Sequence, residues 1–343
     1  METKLIDGTR LNLTTSELSG DTSAAPVLTR LDMVSSYRVA EFATLARDGS
    51  PVCWPLAPDF EHGRLLFSTS YMLPTKARNA RRDPRVAALF SDPTASGRPD
   101  DDPLLLVQGL AEVFDQDLQH NTERYVDQLL QKGPLTFRLM LRTPGLRQLM
   151  VGYLARIWIE VIPCYEYVWE RAQVPPEPLR IATCPDSFSP HPGIELPQEM
   201  FEWLKRYSRP PVLAYIDKAG WPAITRVQGI VQRNLIEIES NIRTSEGAPA
   251  CLTYHRLVGN YSANDTFLIR GHFDAAGRLV PEKVIGFGGT QDDRGLGSLK
   301  LLRVFLDLGK QLSLQMEKEA RPLPVVRPSP GGQAGQAGRN SHN

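Results

Sequence analysis

The sequence predicts a mainly β fold with helices, an α+β chain in which one structural unit occurs twice. Short apolar runs bounded by Gly, Pro and Asp are typical of strands joined by tight turns. The order of motifs also returns in the second half of the chain. Gly220-Trp221-Pro222 repeats Gly49-Ser50-Pro51 at a distance of 171 positions, and Phe267–Gly271 repeats Leu105–Gly109 at a distance of 162. A nearly constant offset indicates an internal repeat.

Length and composition favour a two-domain protein of ordinary globular type. The chain has 343 residues, 41% of them hydrophobic, and 39 basic side chains balance 39 acidic ones. The absence of a net positive field argues against nucleic acid and anionic membranes as partners. There is no apolar run of about 18 residues and no apolar signal core at the start. Four scattered cysteines predict reduced thiols, so we expect a cytoplasmic protein with no metal site.

Changes in composition divide the chain into five segments. Residues 1–27 are polar and are predicted to form a flexible arm. Residues 28–170 form the first unit and residues 196–320 the second, which ends in a helix. Between them, residues 171–195 are rich in proline and predict a surface linker. Residues 321–343 carry Pro-rich and then Gly-rich sequence and are predicted to be disordered.

The helix that ends the second unit has an apolar stripe. Over Leu299–Glu319 the pattern predicts packing across the second unit, through Leu302, Phe305, Leu306, Leu312 and Met316.

The stretch from Gly63 to Phe90 carries the strongest chemical signal. An apolar strand, Leu65–Phe67, ends in three hydroxyl side chains, and Pro74 then breaks the extended run. A helix follows, with Thr75 as its predicted N-cap. Amides of a first helical turn together with nearby cations favour an anion. The alternative is an ordinary solvated helix face. The candidate anion-binding residues are Ser68, Thr69, Ser70, Thr75, Lys76 and Arg78.

The order of motifs resembles the pyridoxamine 5′-phosphate oxidase-like split β-barrel family over roughly residues 31–170. The motifs are Ala-Thr-Leu and Asp-Gly-x-Pro, Gly-x-Leu-x-Phe-Ser-Thr, Lys-x-Arg-Asn-x-Arg-Arg-Asp-Pro-Arg-Val, and Val-x-Gly-x-Ala-x-Val. The resemblance implies two tandem split β-barrels and a cofactor, FMN or alternatively a deazaflavin coenzyme, whose phosphate is held by the hydroxyl strand and Lys76. It also implies that Trp54 and Pro55 lie near the flavin ring, although Trp54 fits a barrel-core tryptophan equally well.

The resemblance also implies an assembly. Such barrels pair as homodimers with the flavin in the groove between subunits, so a fused tandem predicts an intramolecular pseudo-dimer. One departure is the apolar run Pro103–Leu106, where members closest to the oxidase carry a glutamine that reaches the flavin ring. Oxidation of pyridoxamine phosphate itself is therefore not expected.

The second unit predicts a degenerate site. Ser240 and Pro249 are nine residues apart, whereas Ser70 and Pro84 are 14 apart, so the helix that carries Lys76 has no counterpart. Aligned by sequence, Ile238-Glu239 replaces Ser68-Thr69, and a carboxylate there would repel a phosphate. Arg243 is the one nearby cation that could compensate. The sequence therefore predicts one flavin per chain.

These observations predict a flavin-dependent oxidoreductase that transfers a hydride to or from a small, planar substrate. The alternative is a non-catalytic flavin or haem binder using His255 or His272, although a hydrogen-bonded histidine on a barrel wall also fits both. No Ser, Cys or His nucleophile arrangement occurs, so no catalytic side chain is assigned. A homodimer of the whole chain is the expected assembly.

Overall fold

A computed structural model describes residues 29–94, 96–133, 135–171, 173–207, 209–258, 263–286 and 298–327. The proposed N-terminal arm lies outside these residues. The described chain forms two large antiparallel sheets of seven strands each, a two-stranded parallel sheet and a layer of helices. Among the helices that the structure describes, none combines the length and hydrophobicity of a membrane-spanning segment.

The first repeat forms one seven-stranded sheet with the order β2-β1-β5-β6-β7-β4-β3. Its elements are α1 (Leu31–Ser36), β1 (Ala40–Leu45), β2 (Pro51–Leu56), β3 (Asp59–Glu61), β4 (Arg64–Ser70), α2 (Thr75–Arg82), β5 (Arg85–Phe90), β6 (Leu104–Phe114), α3 (Leu118–Lys132), α4 (Leu135–Arg142), α5 (Pro144–Leu149), α6 (Val151–Leu154) and β7 (Arg156–Trp169).

The second repeat has the corresponding order β10-β9-β14-β15-β16-β12-β11. The linker contributes β8 (Ile181–Ala182), and the repeat itself contains α7 (Gln198–Leu204), β9 (Val212–Ile216), β10 (Pro222–Arg226), β11 (Gln228–Val231), β12 (Ile236–Glu239), β13 (Arg243–Thr244), β14 (Pro249–Val258), β15 (Ala263–Phe273), β16 (Leu279–Ile285) and the C-terminal α8 (Ser298–Lys318). The prediction of two tandem split β-barrels is confirmed, with seven strands in the sheet of each repeat.

A β-bulge at the same position supports the equivalence of the repeats. The ladder between β6 and β7 shifts register between Gln108 and Gly109, and the ladder between β15 and β16 shifts between Arg270 and Gly271. A Cβ on Gly109 would lie 2.4 Å from the Ile162 carbonyl oxygen, closer than van der Waals contact allows. Only glycine fits, because the partner backbone approaches so closely at the bulge.

The two sheets pack on each other through a continuous apolar core. It joins Ala43 and Cys53 of the first repeat to Leu213 and Cys251 of the second, all of them fully buried. A second cluster, which includes Phe42, Phe67 and Phe90, fills the first barrel by itself. The repeats therefore meet as two subunits would, and the predicted intramolecular pseudo-dimer is confirmed. All four cysteines are free thiols, and only Cys184 is exposed.

The C-terminal helix α8 packs on the first repeat, so the predicted packing across the second repeat is wrong. Phe305, Leu312 and Met316 join a cluster formed by α3, α4 and α6 over the outer face of β4 and β7. Gly152 makes this possible, because a Cβ there would lie 2.3 Å from the backbone of Leu308. Leu306 is exposed. An apolar stripe indicates that a helix packs, but not on which partner.

The chain after α8 also lies on the first repeat. Arg321 donates to the carbonyl oxygens of Asp115 and Gln116 and to the hydroxyl of Tyr71, and Val326 is buried. The predicted disorder from residue 321 is therefore wrong for residues 321–327, and residues 328–343 lie outside the described chain.

Candidate functional site

The hydroxyl cluster at the end of β4 shapes a tight turn into α2. Thr69 is buried and its Oγ1 donates to the Leu73 carbonyl oxygen at 3.0 Å, while Ser70 Oγ accepts from the Met72 amide at 3.2 Å. Ser68 is half-buried. Pro74 precedes the helix, and Thr75 is its first residue, exposed and without a capping hydrogen bond. The N-cap role predicted for Thr75 is therefore wrong, because the helix begins one residue earlier than that role requires.

Lys76 is a half-buried cation on the first turn of α2. Its Nζ lies 4.7 Å from the centre of the Trp54 ring. Desolvation and, secondly, the charge of Arg156 lower the pKa of Lys76 from 10.5 to about 8. No ion pair joins Lys76 to a carboxylate within the described residues. An anion bound here would restore the charged state that burial disfavours.

Arg156 is the site residue that the sequence did not reveal. It begins β7 and lies opposite Ser70 in the ladder with β4. Its guanidinium stacks on the rings of Tyr125 and Tyr153, at 4.0 and 4.5 Å from their centres, and Nη2 donates to Tyr125 Oη at 2.7 Å. The side chain is buried, yet its Nε has no partner within the described chain. The sequence did contain an indication, because Arg156 is a single charged residue at the start of the apolar strand Ile157-Trp158-Ile159.

The other predicted site residues differ in how close they lie to Lys76 and Arg156. Trp54 is half-buried and packs against the core between the repeats, so it lies both under Lys76 and at the interface. Pro55 is buried beside it on β2. Arg78 is exposed on α2. The structure thus brings Trp54, Lys76, Arg156 and the β4 turn close together on the first repeat, with Trp54 next to the core between the repeats.

The strand pairing shows which residues of β12 correspond to those of β4, and one of these positions changes from a hydroxyl to a carboxylate. Ladder partners make Ile236 the counterpart of Leu65, since Leu65 pairs with Val161 and Ile236 pairs with Leu279, the residue equivalent to Val161. Glu239 therefore takes the position of Ser68 rather than that of Thr69. The sequence alignment was one residue out because it paired Ser240 with Ser70, whereas the offset of 171 residues between Gly49 and Gly220 also holds between Leu65 and Ile236. A carboxylate still replaces a hydroxyl at the end of the strand.

The linker takes the place of α2 in the second repeat. In the first repeat, Asn79 of α2 donates to Thr44 Oγ1 at 3.1 Å. Tyr215 occupies the position of Thr44 in the second repeat, and its hydroxyl donates to the carbonyl oxygen of Leu179 in the linker. The linker strand β8 also pairs with β13, and Arg243 forms a 3.2 Å ion pair with Glu177. Arg243, the cation that could have offset the negative charge of Glu239, is thus paired with a linker residue.

His255 belongs to a buried charged cluster between the repeats. Glu41, fully buried on β1, contacts His255 Nε2 at 2.9 Å and accepts from Arg226 Nη2 at 2.8 Å. Ser91 Oγ donates to the same carboxylate at 2.8 Å. Asp92 Oδ2 lies 3.9 Å from His255 Nδ1. Although burial alone would raise the pKa of Asp92, hydrogen bonds from Thr94 lower it, so the carboxylate stays charged.

His272 is likewise held by an acid. Its Nδ1 lies 2.7 Å from Glu282 Oε1, which also accepts from the His191 amide at 2.6 Å. Both histidines therefore make structural contacts of their own, and their geometry lends no support to a haem-binding role.

No family model and no curated protein matches this sequence. Solved structures do resemble it. A conserved hypothetical protein from Mycobacterium tuberculosis is 25% identical and covers 44% of this chain and 90% of its own, with a TM-score of 0.32. An F420 reductase is 18% identical over 40% of this chain and 96% of its own, with a TM-score of 0.28. A putative pyridoxamine 5′-phosphate oxidase from Listeria innocua is 16% identical and covers 40% of this chain and 93% of its own, with a TM-score of 0.27. In these three comparisons the likeness covers 40–44% of this chain.

Proposed function

We propose that this protein is an oxidoreductase that uses a flavin-type cofactor, FMN in the first place and a deazaflavin coenzyme as the alternative. The observation that carries the proposal is a pair of cations, Lys76 and Arg156, that have no carboxylate partner among the residues the structure describes. The substrate is a small, planar molecule that would enter a groove between the repeats.

The residues present fit a phosphate. Arg156 has a buried Nε without a partner, and Lys76 is half-buried with a lowered pKa. A buried donor without a partner is unfavourable by about 1–3 kcal/mol, which a bound anion would recover. The first-turn amides of α2 add positive potential on the same side. An apolar ligand would leave all of these groups unsatisfied.

The chain's own residues would bind and orient the cofactor. Lys76 and Arg156 would hold its phosphate by charge-assisted hydrogen bonds. The β4 turn would set the distance between the strand and the helix, and Trp54 would form a wall where the groove meets the apolar core. When bound, the flavin or deazaflavin ring would supply the hydride-accepting and hydride-donating chemistry.

Titration of FMN into the purified protein, followed by flavin fluorescence, tests the proposal. We expect Lys76→Met to weaken binding about 10- to 150-fold, since one charge-assisted bond contributes about 1.5–3 kcal/mol. Lys205→Met is the matched control, because Lys205 is an exposed lysine of the second repeat. The same titration with a deazaflavin coenzyme decides which cofactor is preferred.

Two results would contradict the proposal. The wild-type protein could fail to bind either cofactor, or Lys76→Met and Lys205→Met could bind with equal affinity. Arg156→Lys provides a second variant that keeps the charge at this buried position while removing the planar guanidinium. We expect it to bind FMN more weakly than wild type, with an unchanged circular dichroism spectrum.

A further inference from the structure

The hairpin formed by α4 and α5, residues 135–149, is apolar on both of its faces. Phe137 and Leu141 point into the helical layer and are buried. On the other face, Leu135 is 64% exposed and Leu139 is 55% exposed. Leu146 and Leu149 on α5 are also exposed. A helix that is apolar on the side away from the core requires a second apolar environment, so this face marks an interaction surface.

The same hairpin is basic and contains no acid. Residues 128–159 include no Asp or Glu, although the chain as a whole is electrically neutral. Arg138, Arg142 and Arg147 lie within the hairpin, and none of them forms an ion pair within the described chain. Arg138 Nε is buried and has no hydrogen-bond partner there. The uniform positive charge selects an anionic partner.

The charge argues against a second copy of this chain as the partner. A two-fold interface places the same patch against itself, so the three arginines would face three others without a carboxylate. The composition argues against an acidic protein, because leucine is under-represented among the residues that contribute most to binding at protein interfaces, where aromatic anchors are common. The hairpin's one aromatic residue, Phe137, is buried, and its exposed leucines protrude.

We propose that the α4–α5 hairpin docks this protein on an anionic lipid surface. Leu135, Leu139, Leu146 and Leu149 enter the boundary between headgroups and acyl chains, and the arginines meet the lipid phosphates. This combination of protruding leucines and arginines is typical of helices that lie in the membrane interface. The balanced charge of the whole chain predicted no membrane partner, but it does not reflect the local excess of positive charge on this hairpin.

Co-sedimentation with lipid vesicles tests the proposal on the full chain. Vesicles of phosphatidylcholine alone are compared with vesicles that also contain phosphatidylglycerol. We expect binding to the second kind only, weakened by added salt because the attraction is partly electrostatic. Arg142→Gln with Arg147→Gln reduces partitioning roughly 25-fold, about fivefold for each arginine. Leu135→Gln with Leu139→Gln reduces it by about tenfold or more.

Ile230→Gln is the matched control, because Ile230 is 54% exposed on β11 in the second repeat. It should bind anionic vesicles as wild type does, and all variants should keep the wild-type circular dichroism spectrum. The proposal is overturned if wild type binds neither kind of vesicle or both equally, or if the leucine variant binds normally. It is also overturned if the leucine substitutions instead abolish a dimer seen by analytical ultracentrifugation.

Discussion

Gln108 and Arg270 occupy the same position in the two repeats, and each crosses the interface to the turn between the first two strands of the other repeat. Gln108 Nε2 donates to Asp217 Oδ2 and to the Pro222 carbonyl oxygen, both at 2.9 Å. Arg270 Nη2 lies 3.4 Å from Asp48 Oδ2 and also donates to Ser50 Oγ. Reciprocal contacts of this kind are those of a two-fold axis.

The pseudo-symmetry explains why the repeats could diverge. The contact between the repeats is kept although Gln108 carries an amide and Arg270 a guanidinium, because both groups donate hydrogen bonds to a turn that contains an aspartate. The proposed phosphate site has no such constraint in the second repeat, where the linker fills the place of α2. One half of the pseudo-dimer can therefore hold a ligand while the other completes its groove.

The first prediction concerns the buried carboxylate between the repeats. Replacing Glu41 by Ala leaves Arg226 and His255 without their shared partner in a buried interface. We expect the free energy of unfolding to fall by about 3–5 kcal/mol, measured by urea denaturation. Glu202→Ala is the control, since its ion pair with Lys205 is exposed and should contribute less than about 1 kcal/mol. Similar losses in both variants would show that the cluster does not stabilise the interface.

The second prediction concerns the bulge glycine. Gly109→Ala should destabilise the protein by about 1–3 kcal/mol, because its Cβ would collide with the Ile162 carbonyl oxygen. Gly145→Ala should leave stability unchanged or raise it by up to about 1 kcal/mol, since Gly145 lies in α5 and a Cβ added there would have no described atom within 4 Å. Thermal melts of the two variants provide the comparison, and an unchanged melting temperature for Gly109→Ala would contradict the steric argument.

The repeat was predictable because turn glycines and apolar strands recur in the same order. Contacts between residues that are far apart in the sequence could not be predicted from recurring motifs. Arg156 joins the site only because β7 pairs with β4 at Ser70, and sequence does not state which strands are neighbours. The proline-rich linker could be recognised as non-helical from its composition. Its position in place of α2 depends on the tertiary contact between Tyr215 and Leu179.

The third prediction concerns pH. The pKa of Lys76 is lowered to about 8, so the lysine is charged below this pH and neutral above it. Since phosphate binding requires the charged form, FMN affinity should fall by only about twofold between pH 7 and 8 and by up to about tenfold per pH unit above 8. Lys76→Arg should remove this dependence, because a guanidinium stays charged throughout. A decline of equal slope in Lys76→Arg would assign the titration to another group.

The last prediction concerns stoichiometry: each chain should bind one flavin. In the second repeat Glu239 stands where the first has Ser68, the linker occupies the place of α2, and Arg243 is paired with Glu177. Isothermal titration calorimetry with FMN should therefore give a ratio near one, unchanged in Arg243→Ala. Lys76→Met should weaken this single site and reveal no second one. Two sites per wild-type chain, one of them lost in Arg243→Ala, would mean that the linker does not exclude the cofactor from the second repeat.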